Sequence, residues 1–237
     1  MRKKSKTDFT TLLWDVDGTL LDFDYSMRGA LRKCFFTAGI PLTEEMIQCY
    51  SQINEGYWKR LERGEVTKEE LLTGRFRDFF AAQKLEGMDV GAFREEYEAG
   101  LGQIYTYRDD ALTLVKSLQG HYRQYVVTNG VTAVQKSKLR LSGLSEVMDG
   151  VFISESIGHA KPSRIFFEHC LEHLDEKDRG RILIVGDSMT SDILGGVQAG
   201  IRTCWYNPKE QSCDYAYRAD YEISVLQQIY EVLGIYE

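Results

Sequence analysis

No apolar stretch in this 237-residue chain approaches the about 20 residues that cross a bilayer, which argues against a membrane partner. Proline is scarce. The three residues, at 41, 162 and 208, each lie beside a probable loop, so a proline-rich linker has no place here. Cysteines number five, Cys34, Cys49, Cys170, Cys204 and Cys213, with no CxxC spacing. An odd set without that spacing argues against a disulfide framework and suits free thiols in a reducing, cytoplasmic setting. Basic excess is missing too: 29 Lys and Arg stand against 36 Asp and Glu, a net charge of -7. That balance argues against a nucleic-acid polymer as partner. Internal repeats and low-complexity tracts are also lacking. The basic start Met1 to Lys6 has no apolar stretch behind it and reads as a frayed tail, not a secretory leader.

What the chain does have is a set of short apolar runs without polar alternation. They are Thr11–Trp14, Tyr125–Val127, Val151–Ile153, Ile182–Val185 and Thr203–Trp205, with Tyr221–Ile223 as a weaker sixth. Such runs suit strands buried on both faces of a parallel sheet. Helical periodicity separates them, over Asp109–Leu118, Val131–Leu141, Ser163–Leu174 and Asp192–Ala199. The alternation breaks between about residues 23 and 105, where only helical patterns occur and Thr43-Glu44-Glu45-Met46 reads as a helix start. The expected fold is α/β: a Rossmann-like parallel-sheet core, residues 1–22 and 106–237, with an inserted all-helical cap domain over 23–105. Ligands of open parallel sheets bind at the carboxyl ends of the strands, which is where such a cap would lie.

The chemistry-bearing residues follow the strands. Asp15-Val16-Asp17-Gly18-Thr19 comes directly after the first run. In an extended chain residues i and i+2 point to one side, so Asp15 and Asp17 crowd two like charges together. A divalent cation or a shared proton relieves that crowding, and a reaction with one carboxylate as nucleophile and the other as acid/base would use both. The second run leads into Thr128-Asn129-Gly130, the third into a loop with Lys161-Pro162, and the fourth into Gly186-Asp187-Ser188 with Asp192 shortly after. Singly these are weak signals. Four in order, each after a strand, are not.

This order resembles the haloacid dehalogenase superfamily of hydrolases over nearly the whole chain. The resemblance implies magnesium-dependent phosphoryl transfer through an aspartyl phosphate. It makes Asp15 the nucleophile and Asp17 the acid/base. Asp15, the Asp17 carbonyl and Asp187 would hold Mg²⁺, with Ser188 and Asp192 behind them. Thr128, Asn129 and Lys161 would bind the phosphoryl group. Asp17 also separates the chain from haloalkanoate dehalogenases, whose halide leaving group needs no proton. Further stretches resemble the pyrimidine 5′-nucleotidase branch: Ile153-Ser154-Glu155, Asp192-Ile193-Leu194-Gly195-Gly196, and Thr203 to Pro208, together with Asn54, Trp58, Gly64 and Arg75-Phe76 in the cap. Ser163 departs from the pattern, standing where many members carry Asp.

The expected substrate is therefore a small phosphate ester, a pyrimidine nucleoside 5′-monophosphate, handled by a monomer or small homo-oligomer. A phosphatase of sugar phosphates or 2-phosphoglycolate is the alternative, followed by a phosphomutase and a non-catalytic binding module. Trp58 could stack on a base or fill the cap core, and Arg75 could meet substrate or pair with a cap acid. His159, two residues from Lys161, reads as a loop histidine. His169-Cys170-Leu171-Glu172-His173 spells an inverted zinc-protease motif but falls on a helix of the α/β plan and reads as a solvated face. The acidic stretch Glu65 to Glu70 reads as a solvated helix start.

Overall fold

The computed structural model describes residues 8–235; the basic start Met1–Lys6 lies outside them. Strand β1 (Thr11–Trp14) is followed by four helices: α1 (Phe23–Thr37), α2 (Glu44–Glu62), α3 (Lys68–Gln83) and α4 (Val90–Leu101). Then α5 (Ala111–Leu118), β2 (Arg123–Thr128), α6 (Thr132–Leu141), β3 (Gly150–Ile153), α7 (Ser154–Ile157), α8 (Arg164–His173) and β4 (Ile182–Gly186) alternate. A π-helical turn over Met189–Ile193 leads into α9 (Leu194–Ala199), and β5 (Arg202–Tyr206), β6 (Tyr221–Ile223) and α10 (Ile229–Val232) follow. The six strands among the described residues are all parallel, in the order β3-β2-β1-β4-β5-β6.

The apolar runs lack polar alternation because both sheet faces are covered. Leu12, Trp14, Val126, Leu183 and Val185 pack on one side with α5 and α10. Leu13, Tyr125, Val127, Ile182 and Ile184 pack on the other with α8 and α9. The register sets Trp14 beside Val126 and Val185, so the loops after β1, β2 and β4 leave the same edge of the sheet. The expected helix at Asp192 differs at its start: the chain enters it through the π turn, which brings Asp192 back so that its carboxylate accepts from Ser188 N at 3.2 Å.

Helices α1–α4 bury an aromatic core of their own. Phe35, Tyr50, Phe76, Phe79, Phe80, Phe93 and Tyr97 meet mostly edge to face, and Val134 of α6 joins them from the sheet side. Each helix is started by a side chain that accepts a backbone N–H: Asp22, Thr43, Thr67 and Asp89. Thr67 and Glu70 form a capping box, the physical content of the acidic stretch read as a helix start. No described helix is long and apolar enough to cross a membrane.

Candidate active site

Lys161 is the centre of the site. The residue is 1% exposed, and its ammonium donates to Asp15 Oδ1 at 2.7 Å, Asp192 Oδ1 at 2.6 Å and the Val127 carbonyl at 2.7 Å. Three protons meet three acceptors, so a buried charge is fully satisfied. Burial opposes that charge, but Asp15 and Asp192 outweigh it and hold the lysine pKa above its ordinary value. The loop that carries Lys161 is fixed in turn by Asn129. The Asn129 amide donates to the Lys161 carbonyl at 2.9 Å and its oxygen accepts from Lys161 N at 2.8 Å. The Asn129 side chain is thus used to position Lys161, while the phosphate contact expected at Asn129 concerns backbone amides near it. Thr128 Oγ1 accepts from Gly130 N at 3.1 Å, which ties its hydroxyl to the same loop.

Asp15 follows β1, with its backbone N–H bonded to Val185 O at 3.0 Å. Burial pushes its carboxyl up to about 7 against the pull of Lys161, and Asp192 and Asp17 add to the rise. One oxygen is held by Lys161; among the described residues no donor reaches the other. Asp187 stands opposite, its residue surface open to solvent while its carboxyl sits among site atoms. That desolvation, then the charges of Asp15 and Asp192, raises its pKa well above the carboxylate range. Besides its own backbone N–H, its side chain receives a long 3.4 Å contact from Thr19 Oγ1, and among the described residues no cation lies within ion-pair distance of it. The Trp205 indole N–H donates to the Asp187 carbonyl at 2.9 Å and fixes this loop. Gly18, at φ +102°, has to be glycine twice over: the backbone is left-handed and a Cβ would collide with the Asp187 carboxylate.

Asp15, Asp187 and Asp192 offer oxygen atoms that all lie within 4.8 Å of one another. An all-carboxylate donor set without histidine or thiol suits a hard cation such as Mg²⁺. The unpaired, crowded Asp187 carboxylate is what a cation would relieve, so these residues fit the group. Among the described residues this is the one such cluster. His169 and His173 lie on α8 with rings 4.4 Å apart beside Phe152, with no third ligand, so the zinc-protease spelling is a coincidence of helix spacing. His159 is an exposed loop residue. Ser188 caps the π turn by accepting from Ser191 N at 3.1 Å.

Residues missed in the sequence complete the picture. Asp17 is held by Gln135 and Lys138 of α6. Lys68 crosses from α3 to bond the Asn129 carbonyl, with its ammonium 4.4 Å above the Trp58 ring. The acidic stretch around it hid that lysine. Desolvation lowers its pKa to about 8. One face of Trp58 is therefore covered by a cation. Arg75 is buried, donates to Asn54 Oδ1 at 2.9 Å and lies over the rings of Phe76 and Tyr97; among the described residues no acid pairs with it.

The chain matches the family model of haloacid dehalogenase-like hydrolases over residues 9–200. It is 37% identical to the HAD-hydrolase YfnB of Bacillus subtilis over 96% of both chains. A magnesium-bound crystal structure of YfnB, described as revealing interdomain movement, superposes with a TM-score of 0.91 over 96% of this chain and 99% of that one, at 36% identity. The pyrimidine 5′-nucleotidase YjjG of Escherichia coli is 32% identical over 94% of this chain and 96% of its own length. The pyrimidine 5′-nucleotidase PynA of Streptococcus pneumoniae is 34% identical over 94% of each.

Proposed function

Because the chain belongs to the haloacid dehalogenase-like hydrolase family, we propose that this enzyme is a magnesium-dependent phosphomonoesterase working through an aspartyl phosphate on Asp15, with pyrimidine nucleoside 5′-monophosphates as preferred substrates. The observation that carries the reaction is the pairing of one held and one free oxygen on Asp15 beside the unpaired carboxylate of Asp187. The likeness to two pyrimidine nucleotidases supports the substrate class. In this reading residues 23–105 are a cap and the remainder the catalytic core.

Asp15 attacks phosphorus through the oxygen that Lys161 leaves free, and the ester oxygen departs on the opposite side. Asp17 gives that oxygen its proton, then takes one from the water that attacks the aspartyl phosphate. The products are the nucleoside, inorganic phosphate and a regenerated Asp15 carboxylate. Lys161 offsets charge on the nucleophile and the phosphoryl oxygens throughout. Asp15, the Asp17 carbonyl and Asp187 would hold Mg²⁺, which would supply the charge that lets an anion attack an anion. A panel of phosphate esters at equal concentration tests the assignment. If a hexose phosphate or 2-phosphoglycolate outranks every nucleotide tenfold in kcat/KM, the nucleotidase reading fails and the phosphatase reading stands.

Metal binding should depend on pH in a defined direction. Asp15 and Asp187 both have raised pKa values, Asp15 near 7. A raised carboxyl binds its proton in the folded state where the unfolded chain has lost it. Its contribution to stability is therefore complete below the unfolded value near 4 and fades as pH rises through the folded value. Mg²⁺ needs the ionised form. The Mg²⁺-induced rise in melting temperature should therefore grow from pH 6 to pH 8. Asp187→Asn should shrink that rise and restore part of the lost turnover only at high Mg²⁺. Full activity of the wild type in EDTA would refute the metal reading.

Lys68 should tie substrate affinity to pH. Its ammonium is lost as pH rises through about 8, and with it an attraction for the substrate phosphate. KM for nucleoside monophosphates should rise between pH 7 and pH 9 in the wild type, and be higher but flatter over that range in Lys68→Met. Parallel profiles for the two proteins would remove Lys68 from substrate binding.

A further inference from the structure

Lys138 is 0% exposed in the body of the protein, and the acid it meets among the described residues is Asp17. A buried lysine is expensive unless paired, and helix α6 could carry an apolar residue there. Its Nζ donates to Asp17 Oδ1 at 2.5 Å. Gln135, also 0% exposed, donates its amide to Asp17 Oδ2 at 2.5 Å. Both oxygens of one carboxylate are therefore gripped by residues three apart on one face of one helix. The centroid of the Phe23 ring lies 5.8 Å from the ammonium.

A second observation points the same way. Gly130, in the loop after β2, lies where the Gln135 side chain has to pass to reach Asp17. A Cβ at Gly130 would collide with that side chain. The glycine of Thr128-Asn129-Gly130 thus keeps a path open for Gln135. One short segment, Thr128 to Lys138, carries both the phosphate loop and the grip on Asp17.

We propose that Gln135 and Lys138 are positioning residues for Asp17, holding its carboxyl where it can reach the leaving oxygen, and that Gly130 is glycine to let Gln135 do so. The proposal rests on the reading of Asp17 as acid/base. An aspartate before a left-handed glycine, partly open to solvent, has several side-chain directions available. Two directed bonds from a rigid helix remove all but one, and each uses one of the two lone pairs on its oxygen, so the carboxyl keeps a place for the proton it passes to a poor leaving group and later takes from water.

The test is single-turnover formation of the phosphoenzyme, with Mg²⁺ present, from uridine 5′-monophosphate and from p-nitrophenyl phosphate. The alkoxide of the first needs a proton; the phenolate of the second departs with little help. Gln135→Leu, Lys138→Met and Gly130→Ala should each slow the uridine substrate at least tenfold more than the aryl substrate. Lys138→Arg should recover part of the difference. Equal slowing of both substrates, in variants that melt as the wild type does, overturns the proposal. Should Lys138→Met fail to fold, Gln135→Leu and Gly130→Ala decide the matter by the same ratio. A wild type that forms no phosphoenzyme on Asp15 would instead refute the reaction itself.

Discussion

Asp15→Asn should lower turnover by roughly three orders of magnitude or more and leave the metal-free protein at least as stable as the wild type. The amide keeps the shape of the carboxylate and cannot attack phosphorus, so no phosphoenzyme should accumulate. Stability should move the other way because the site is built against its own charge. Burial pushes the Asp15 carboxyl up to about 7, and Asp192 and Asp17 add to that push. At pH 8 the protein carries that carboxylate at a cost, which asparagine removes. Lys161 would lose one ionic partner but keep Asp192 at 2.6 Å and the Val127 carbonyl at 2.7 Å. Active sites commonly carry such local destabilisation. A thermal melt without metal and acid-quench trapping of phosphoenzyme check both halves. Retained hydrolysis would place the nucleophile elsewhere, and a melting temperature several degrees lower would show Asp15 to be a structural anion.

The sheet was legible in the sequence for a definite reason. Strands buried on both faces are apolar at every position, so Thr11–Trp14 and Ile182–Val185 stand out without any alternation. Asp15, Thr128, Lys161, Asp187 and Asp192 were legible because parallel strands deliver their following loops to one edge. The structure gathers Asp15, Lys161, Asp187 and Asp192 there, with Thr128 at the end of β2. Residues that reach the site from helices were not legible. Gln135 and Lys138 look like ordinary helix-surface residues in a segment rich in lysine and arginine. Lys68 is surrounded by glutamates that suggest solvent. Nothing in spacing alone says that Val134 faces the helical insert and that its neighbours on α6 face Asp17. The same limit applies to Trp205, whose apolar strand setting conceals an indole that fixes Asp187.

Lys161→Met should abolish activity and destabilise the protein, and the two losses should separate in a double variant. Removing the cation leaves Asp15 and Asp192 facing each other across a nearly dry site and strands the Val127 carbonyl. Breaking a buried pair by deleting one partner costs roughly 3–5 kcal/mol, a fall in melting temperature on the order of 10 °C for a chain of this size. The fall should be larger at pH 8 than at pH 5, because without Lys161 the buried Asp15 carboxyl, already pushed up, protonates more readily, and its repulsion with Asp192 vanishes at low pH. Adding Asp192→Asn removes one of the stranded charges, so Lys161→Met/Asp192→Asn should recover much of the melting temperature. It should recover none of the turnover, since charge developing on the phosphoryl oxygens still lacks its lysine. A double-mutant cycle over Lys161 and Asp192 then reports coupling in stability and near-independence in rate. If the double variant regained activity along with stability, Lys161 would be a structural counter-ion for two crowded carboxylates, and the positive charge at the phosphoryl group would have to come from elsewhere, with Lys68 the nearest candidate on the helical insert.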